Sequence, residues 1–169
     1  HKAINAASEE SVKILLNHHI DKDIQDVQGR TALHLASEKN ETLVRLLIEG
    51  GCNINKTNKL GNTALHASVL AKNREIAEIL ISNGVEIDKK NNTGETALSL
   101  AVSVLDTRMV VTLVEKHHAD MTTTNHMGRG LLHTLVTSLS HHHLLAQCLQ
   151  SGYKYKSVQD CMGSAIVTL

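Results

Sequence analysis

The sequence contains no proline, phenylalanine or tryptophan, and only two tyrosines, Tyr153 and Tyr155. A single compact core normally fills its centre with large rings. A core restricted to Leu, Ile, Val, Ala and Met suits thin, stacked layers instead. No apolar run approaches the roughly 18 residues of a membrane-spanning helix, and the opening stretch "HKAINAASEE" lacks the apolar segment of a signal peptide. An excess of one charge is missing too. Lys plus Arg and Asp plus Glu balance at 17 each, so no global field steers the chain toward nucleic acid or an anionic membrane. Cys52, Cys148 and Cys161 lie far apart without the short spacing of a metal site, which speaks against both a disulfide framework and zinc. Reduced thiols and residence in the cytoplasm, the nucleus or both are expected.

What is present is a repeat. Gly29, Gly61, Gly94, Gly128 and Gly163 are spaced 32, 33, 34 and 35 residues apart, a period that signals a solenoid of stacked units. Three residues before each glycine stands Asp26, Asn58, Asn91, Asn125 or Asp160. Such side chains fold back onto turn backbone, and glycine supplies the conformation the turn then needs. Thr31, Thr63 and Thr96 follow at the position of a helix N-cap. A short first helix is predicted after each, with Ala32, Leu33 and Ala36, or Ala64, Leu65 and Ala67, on its packed faces.

A second helix carries a wide apolar face: Leu43, Val44, Leu46 and Leu47, then Ile76, Ile79 and Leu80, then Met109, Val110 and Leu113. Gly50-Gly51 and Gly84 mark where these helices stop. The short alternating stretches "CNIN", "VEID" and "ADMT" read as minimal extended arms leading to the next turn.

Turn, short helix, longer helix and arm in this order, with "TALH" at Thr31 to His34 and again at Thr63 to His66, resemble the ankyrin repeat over almost the whole chain. The resemblance implies an all-α solenoid of stacked antiparallel helix pairs with short β-hairpin-like fingers, forming one domain over residues 1–169. Its units fall at about 1–25, 26–57, 58–90, 91–124 and 125–159, with a fragment at 160–169, so the chain is expected to stop inside an array. The copies degrade outward: Ser99 replaces the histidine, an extra residue sits near "HHAD", and Gly130 replaces the capping threonine. The fifth unit, with Gly130 and "SLSHHH", is expected to be the weakest.

Histidines are numerous, 12 in all, yet neighbours such as His117 and His118 point apart on a helix, and no metal or other cofactor is expected. The resemblance makes His34, His66 and His133 hydrogen-bond links between units. No nucleophile elbow, Cys-His pairing or phosphate loop is present, so catalysis is not expected.

Binding is then left to the positions that the repeat leaves free. Val27, Leu60, Leu70, Val104 and Met127 are apolar at fingers and first-helix ends. They suggest a shallow strip along the concave side, rimmed by Lys39, Lys56, Lys59, Lys89 and Lys90. Such a strip fits a partner peptide or helix with apolar anchors and some acidic character; the competing reading is that these residues pack against adjacent fingers. "LIEGGCNIN" resembles the phrase in which ankyrin asparagines are hydroxylated, pointing to Asn55, although Asn53 replaces the usual Asp. The resemblance implies a non-catalytic, monomeric protein-interaction module or scaffold that binds neither nucleic acid nor membrane. The alternative is the substrate-recruiting array of a larger enzyme such as a ubiquitin ligase or kinase. An inhibitor of a transcription factor is a third possibility.

Overall fold

The structure, a computed structural model, describes residues 9–17 and 21–130. Among these, seven α-helices run in the order α1 (Glu9–Asn17), α2 (Ala32–Ala36), α3 (Glu41–Glu49), α4 (Ala64–Leu70), α5 (Arg74–Ser82), α6 (Ala97–Ser103) and α7 (Thr107–Val111). They pack as the pairs α2/α3, α4/α5 and α6/α7. First helices stack on first helices through α2, α4 and α6, and second helices stack from α1 to α3 to α5. This is the predicted all-α solenoid.

Each first helix begins at a threonine N-cap with extended backbone, Thr31, Thr63 or Thr96, and all three close a capping box. Each second helix begins at a side-chain oxygen that accepts an N–H three residues on: Asn40 from Leu43, Asn73 from Ile76 and Asp106 from Met109. Only a short loop separates the helices of a pair, from Ala36 to Asn40, Leu70 to Asn73 and Ser103 to Asp106. The apolar faces meet in one continuous core. Leu43, Leu65, Ile76, Leu80, Leu98, Met109 and Leu113 are fully buried in it.

The predicted turn is built as its residues suggest. Asn58 Oδ1 accepts the N–H groups of Leu60 and Asn62 at 2.9 and 3.0 Å, and the Asn58 N–H donates to the Asn62 carbonyl at 2.9 Å. Asp26, Asn91 and Asn125 repeat the arrangement. The fingers also bond to one another: the N–H groups of Lys59, Asn92 and His126 donate to the carbonyls of Gln28, Leu60 and Thr93. Gly61 shows why glycine is needed here. Its φ is +76°, and a Cβ would lie 2.6 Å from the Asn92 nitrogen of the next finger.

One expectation is corrected. The arms are not extended strands: among the described residues the sole β pairing is an isolated bridge between Thr124 and Gly130. Asn53 Oδ1 accepts the Asn55 N–H, and the Lys56 N–H donates to the Asn53 carbonyl, so this arm is a second turn. Helix α7 is followed by a π-helical turn, Thr112–Lys116. The interval from cap to left-handed stop is Asn73 to Gly84 in one unit and Asp106 to His118 in the next, one residue longer, and the π turn absorbs the insertion. That locates the extra residue read near "HHAD". His133, Cys148, Cys161, "SLSHHH" and the helices of the fifth unit lie outside the described residues.

Candidate functional site

The concave side between the second and third units holds a groove of about 580 Å³. Two fingers, the loop after α2 and the helix α4 build it. The second finger contributes Gln28 and Arg30, and the loop after α2 contributes Lys39; the third finger contributes Leu60, and α4 contributes Leu70 with Ala67. Leu60 is 67% exposed and Leu70 47%. The reason is local. The Asn58 turn fixes the backbone on either side of Leu60, while Leu70 is the last residue of α4, where the apolar face runs past the core.

Of the residues expected to form a strip, the groove thus unites Leu60, Leu70 and Lys39. Lys59 is exposed on the same finger as Leu60. Val27, on the second finger, and Met127, on the fifth, are 86% and 79% exposed and do not line it. Val104 is half-buried as the C-cap of α6, and the neighbouring Leu105, with φ +56°, is the exposed residue instead. The helix register turns Val104 inward, and the left-handed step throws Leu105 out. Three rim lysines lie apart from the groove as well. Lys89 pairs with Glu86 at 3.0 Å, Lys90 donates to the Thr124 carbonyl at 2.8 Å, and Lys56 is half-buried on its arm.

The electrostatics of the groove are mixed. Arg30 is held by Asp26 at 2.8 Å. Desolvation raises the Asp26 carboxyl, but hydrogen bonds from Arg30 and Gln28 outweigh it and hold the group below its ordinary value. No ion pair among the described residues engages Lys39. A second cavity, about 330 Å³, lies between α3 and α5 and is lined by Glu41, Arg45, Glu75 and Glu78. Arg45 pairs there with Glu41, and Lys116 with Glu78. Those charges satisfy one another on a solvated face.

The histidine links are present where they can be seen. The Thr31 N–H donates to His34 Nδ1 at 3.2 Å, with the Thr31 hydroxyl 2.9 Å from the same nitrogen. An N–H can only donate, so Nδ1 accepts and the ring proton resides on Nε2, which donates to the Asn62 carbonyl at 2.8 Å. His66 repeats this with Thr63 and the Glu95 carbonyl at 3.2 Å. Burial lowers the pKa of both rings, in keeping with neutral imidazoles. A further set of links escaped the sequence reading. Asp23, Asn55 and Asp88 each accept, through Oδ1, a backbone N–H of the following unit, from Asn53, Glu86 and Asp120 at 2.8 to 2.9 Å. Their spacings of 32 and 33 residues match those of the turn glycines, which was the available signal. Asn55, read as a modification candidate, is one of these links.

The family model for ankyrin repeats in three copies matches residues 1–91 and 36–125. The chain belongs to the ankyrin-repeat family. An ankyrin-repeat array is a non-catalytic fold for protein interaction. Curated relatives match in part. A probable serine/threonine-protein kinase of Dictyostelium discoideum is 49% identical over 53 residues, covering 28% of this chain and 5% of the kinase. Inversin-B of Xenopus laevis is 40% identical over 65 residues, covering 37% and 6%. A potassium channel of Arabidopsis thaliana is 37% identical over 59 residues, covering 34% and 7%. The aligned part is thus a small fraction of each relative.

Proposed function

We propose that this ankyrin array binds a partner protein by seating an apolar side chain of a peptide or helix in the groove between Leu60 and Leu70. The observation that carries the reading is that these two large apolar side chains, one on a finger and one on a helix, line one concavity and stay 67% and 47% exposed. Exposed apolar residues brought together in a concave surface mark interaction sites. Lys39 and Lys59 supply the cationic rim, so an acidic residue flanking the anchor is favoured; Lys56, Lys89 and Lys90 have no part in it. In this reading the chain acts as a monomeric module in the cytoplasm or nucleus, where Cys52 stays a thiol.

Selection of a displayed peptide library against the chain tests it. Selected peptides should combine an apolar anchor with a nearby Asp or Glu, and a folded Leu60→Asp, Leu70→Asp double variant should bind them at least about tenfold more weakly, as loss of a central anchor does. Undiminished binding by that variant overturns the reading.

One observation favours a second reading, in which the array recruits substrates for a larger enzyme: the likeness to the Dictyostelium kinase. A nucleotide-binding motif in the full-length coding sequence would support it. Flanking sequence without catalytic motifs would refute it.

A further inference from the structure

The second unit is one residue short between its helices. The caps that open the paired helices are Thr31 and Asn40 in this unit, Thr63 and Asn73 in the third, and Thr96 and Asp106 in the fourth. The missing position is the left-handed one that ends the first helix. Lys72 and Leu105 hold it in the third and fourth units, each with φ +56°. There the next N–H, of Asn73 or Asp106, reaches back to the carbonyl of Ser68 or Ala101 at 2.8 or 3.0 Å, the closing bond of a left-handed helix stop. In the second unit the Asn40 N–H returns instead to the Ala36 carbonyl at 2.9 Å, and no residue from Ser37 to Asn40 has a positive φ. Helix α2 therefore closes after five residues, against seven in α4 and α6.

The consequence falls on α4. Counted from the threonine caps, Leu70 and Ala71 stand level with Glu38 and Lys39, which belong to a turn and not to a helix. The end of α4 thus overhangs its neighbour, and Leu70 and Ala71 are both exposed. A second departure lies one turn earlier on the same helix face. The first-helix phrases read "TALHL", "TALHA" and "TALSL", ending at Leu35, Ala67 and Leu100. The two leucines are 5% and 7% exposed. Alanine in the third unit omits the isopropyl group that leucine lays there, and Ala67 is left half-buried. Both departures open the same place, for Lys39, Ala67, Leu70 and Ala71 all line the groove of about 580 Å³.

We propose that the missing residue and Ala67 together make this groove a socket for one aliphatic side chain of leucine size on a partner peptide, an inference that rests on the recognition site proposed above. The floor at Ala67 lacks a branched aliphatic group and is flanked by Leu60 and Leu70, so a Leu or Ile anchor restores the volume that the repeat leaves out. Its burial removes apolar surface from water on both partners. A flat ring does not match the branched space that a missing isopropyl group leaves, and forfeits contacts with the floor. Lys39, on the early turn, meets an acidic residue beside the anchor.

Selection of displayed random peptides on the whole chain, with affinities measured for a fluorescent synthetic copy of a selected peptide, tests this. Selected peptides should carry Leu or Ile as the anchor. Ala67→Leu restores the residue of the neighbouring units, so its urea midpoint should be no lower than that of the unaltered chain, while its affinity for the peptide falls at least about tenfold. A glycine inserted between Lys39 and Asn40 supplies the missing left-handed position; it should weaken binding likewise, and it replaces Ala67→Leu as the test if that variant does not fold. Full-strength binding by the folded test variant, with the peptide lost by the Leu60→Asp, Leu70→Asp variant, overturns the socket and leaves the recognition site standing. A selection dominated by aromatic anchors overturns the socket as well. Undiminished binding by the Leu60→Asp, Leu70→Asp variant, or a library that yields no binder, overturns both.

Discussion

The imidazole of His34 donates from Nε2 to the main-chain carbonyl of Asn62 in the following unit, while its Nδ1 accepts the N–H of Thr31. Both ring nitrogens are committed to the neutral form, one on each side of a unit boundary. Protonation would place a hydrogen on Nδ1 facing an N–H donor, and burial already penalises the charge.

Acid should therefore loosen the array. The folded pKa of His34 and of His66 is lowered from the ordinary 6.5. A depressed folded value means that the unfolded chain binds the proton more readily, so the contribution is full above about pH 6.5 and lost as pH falls toward the folded pKa. Urea midpoints at pH 7.5 and 5.5 check the sign: the midpoint should be lower at pH 5.5. His34→Leu should be less stable than the unaltered chain at pH 7.5, with the difference narrowing at pH 5.5.

Turn glycines and helix-end glycines should respond differently to a methyl group. Gly61→Ala combines a left-handed φ with a Cβ 2.4 Å from the Asn92 carboxamide oxygen and 2.6 Å from its backbone nitrogen. A loss of about 2–4 kcal/mol is expected. Gly84→Ala has φ +87° but nothing within 4 Å of the new carbon, so it should cost only about 1 kcal/mol. Denaturant titration of the two variants separates close approach from backbone strain. Equal losses would contradict the finger packing.

How much of this was legible in the sequence varies with how local the cause is. The Asp/Asn-x-x-Gly turn, the threonine caps and the apolar helix faces are decided within a few residues and were read in place. The histidine links came from the family resemblance. Asp23, Asn55 and Asp88 were missed although they recur in phase with the glycines, because a side chain that bonds to another unit looks like any other polar residue of an arm. The arms read as extended because alternation is visible in sequence, whereas the Asn53 side chain that folds one of them is a competing local bond. Val104 and Leu105 exchanged roles because helix ends are uncertain by a residue, enough to turn a side chain from inward to outward.

Core and groove leucines should separate in a stability assay. Leu65 is fully buried, and Leu65→Ala should lower stability by about 2–5 kcal/mol. Leu60→Asp and Leu70→Asp replace exposed side chains and should each shift stability by about 0.5 kcal/mol or less. Matching losses at Leu60 and Leu65 would mean that Leu60 packs structurally against its neighbours.

Cys52 should be inert while the array is folded. Burial, with the Asp23 carboxylate nearby, pushes its thiol up to about 11, and alkylation requires the thiolate. A pulse of iodoacetamide at pH 8, read by peptide mass mapping, should leave Cys52 unmodified in buffer and label it in urea. Labelling in buffer at the rate seen in urea would contradict its burial.

The central claim is that partner recognition lies in the concavity bounded by Leu60 and Leu70. The most direct measurement is an amide and methyl NMR titration of the labelled chain with a selected acidic-apolar peptide. Shifts should concentrate at Gln28, Lys39, Leu60 and Leu70, with none at Glu41, Arg45 or Glu75 on the opposite face. Shifts confined to that opposite face, with the Leu60 and Leu70 signals unmoved at saturation, would contradict it.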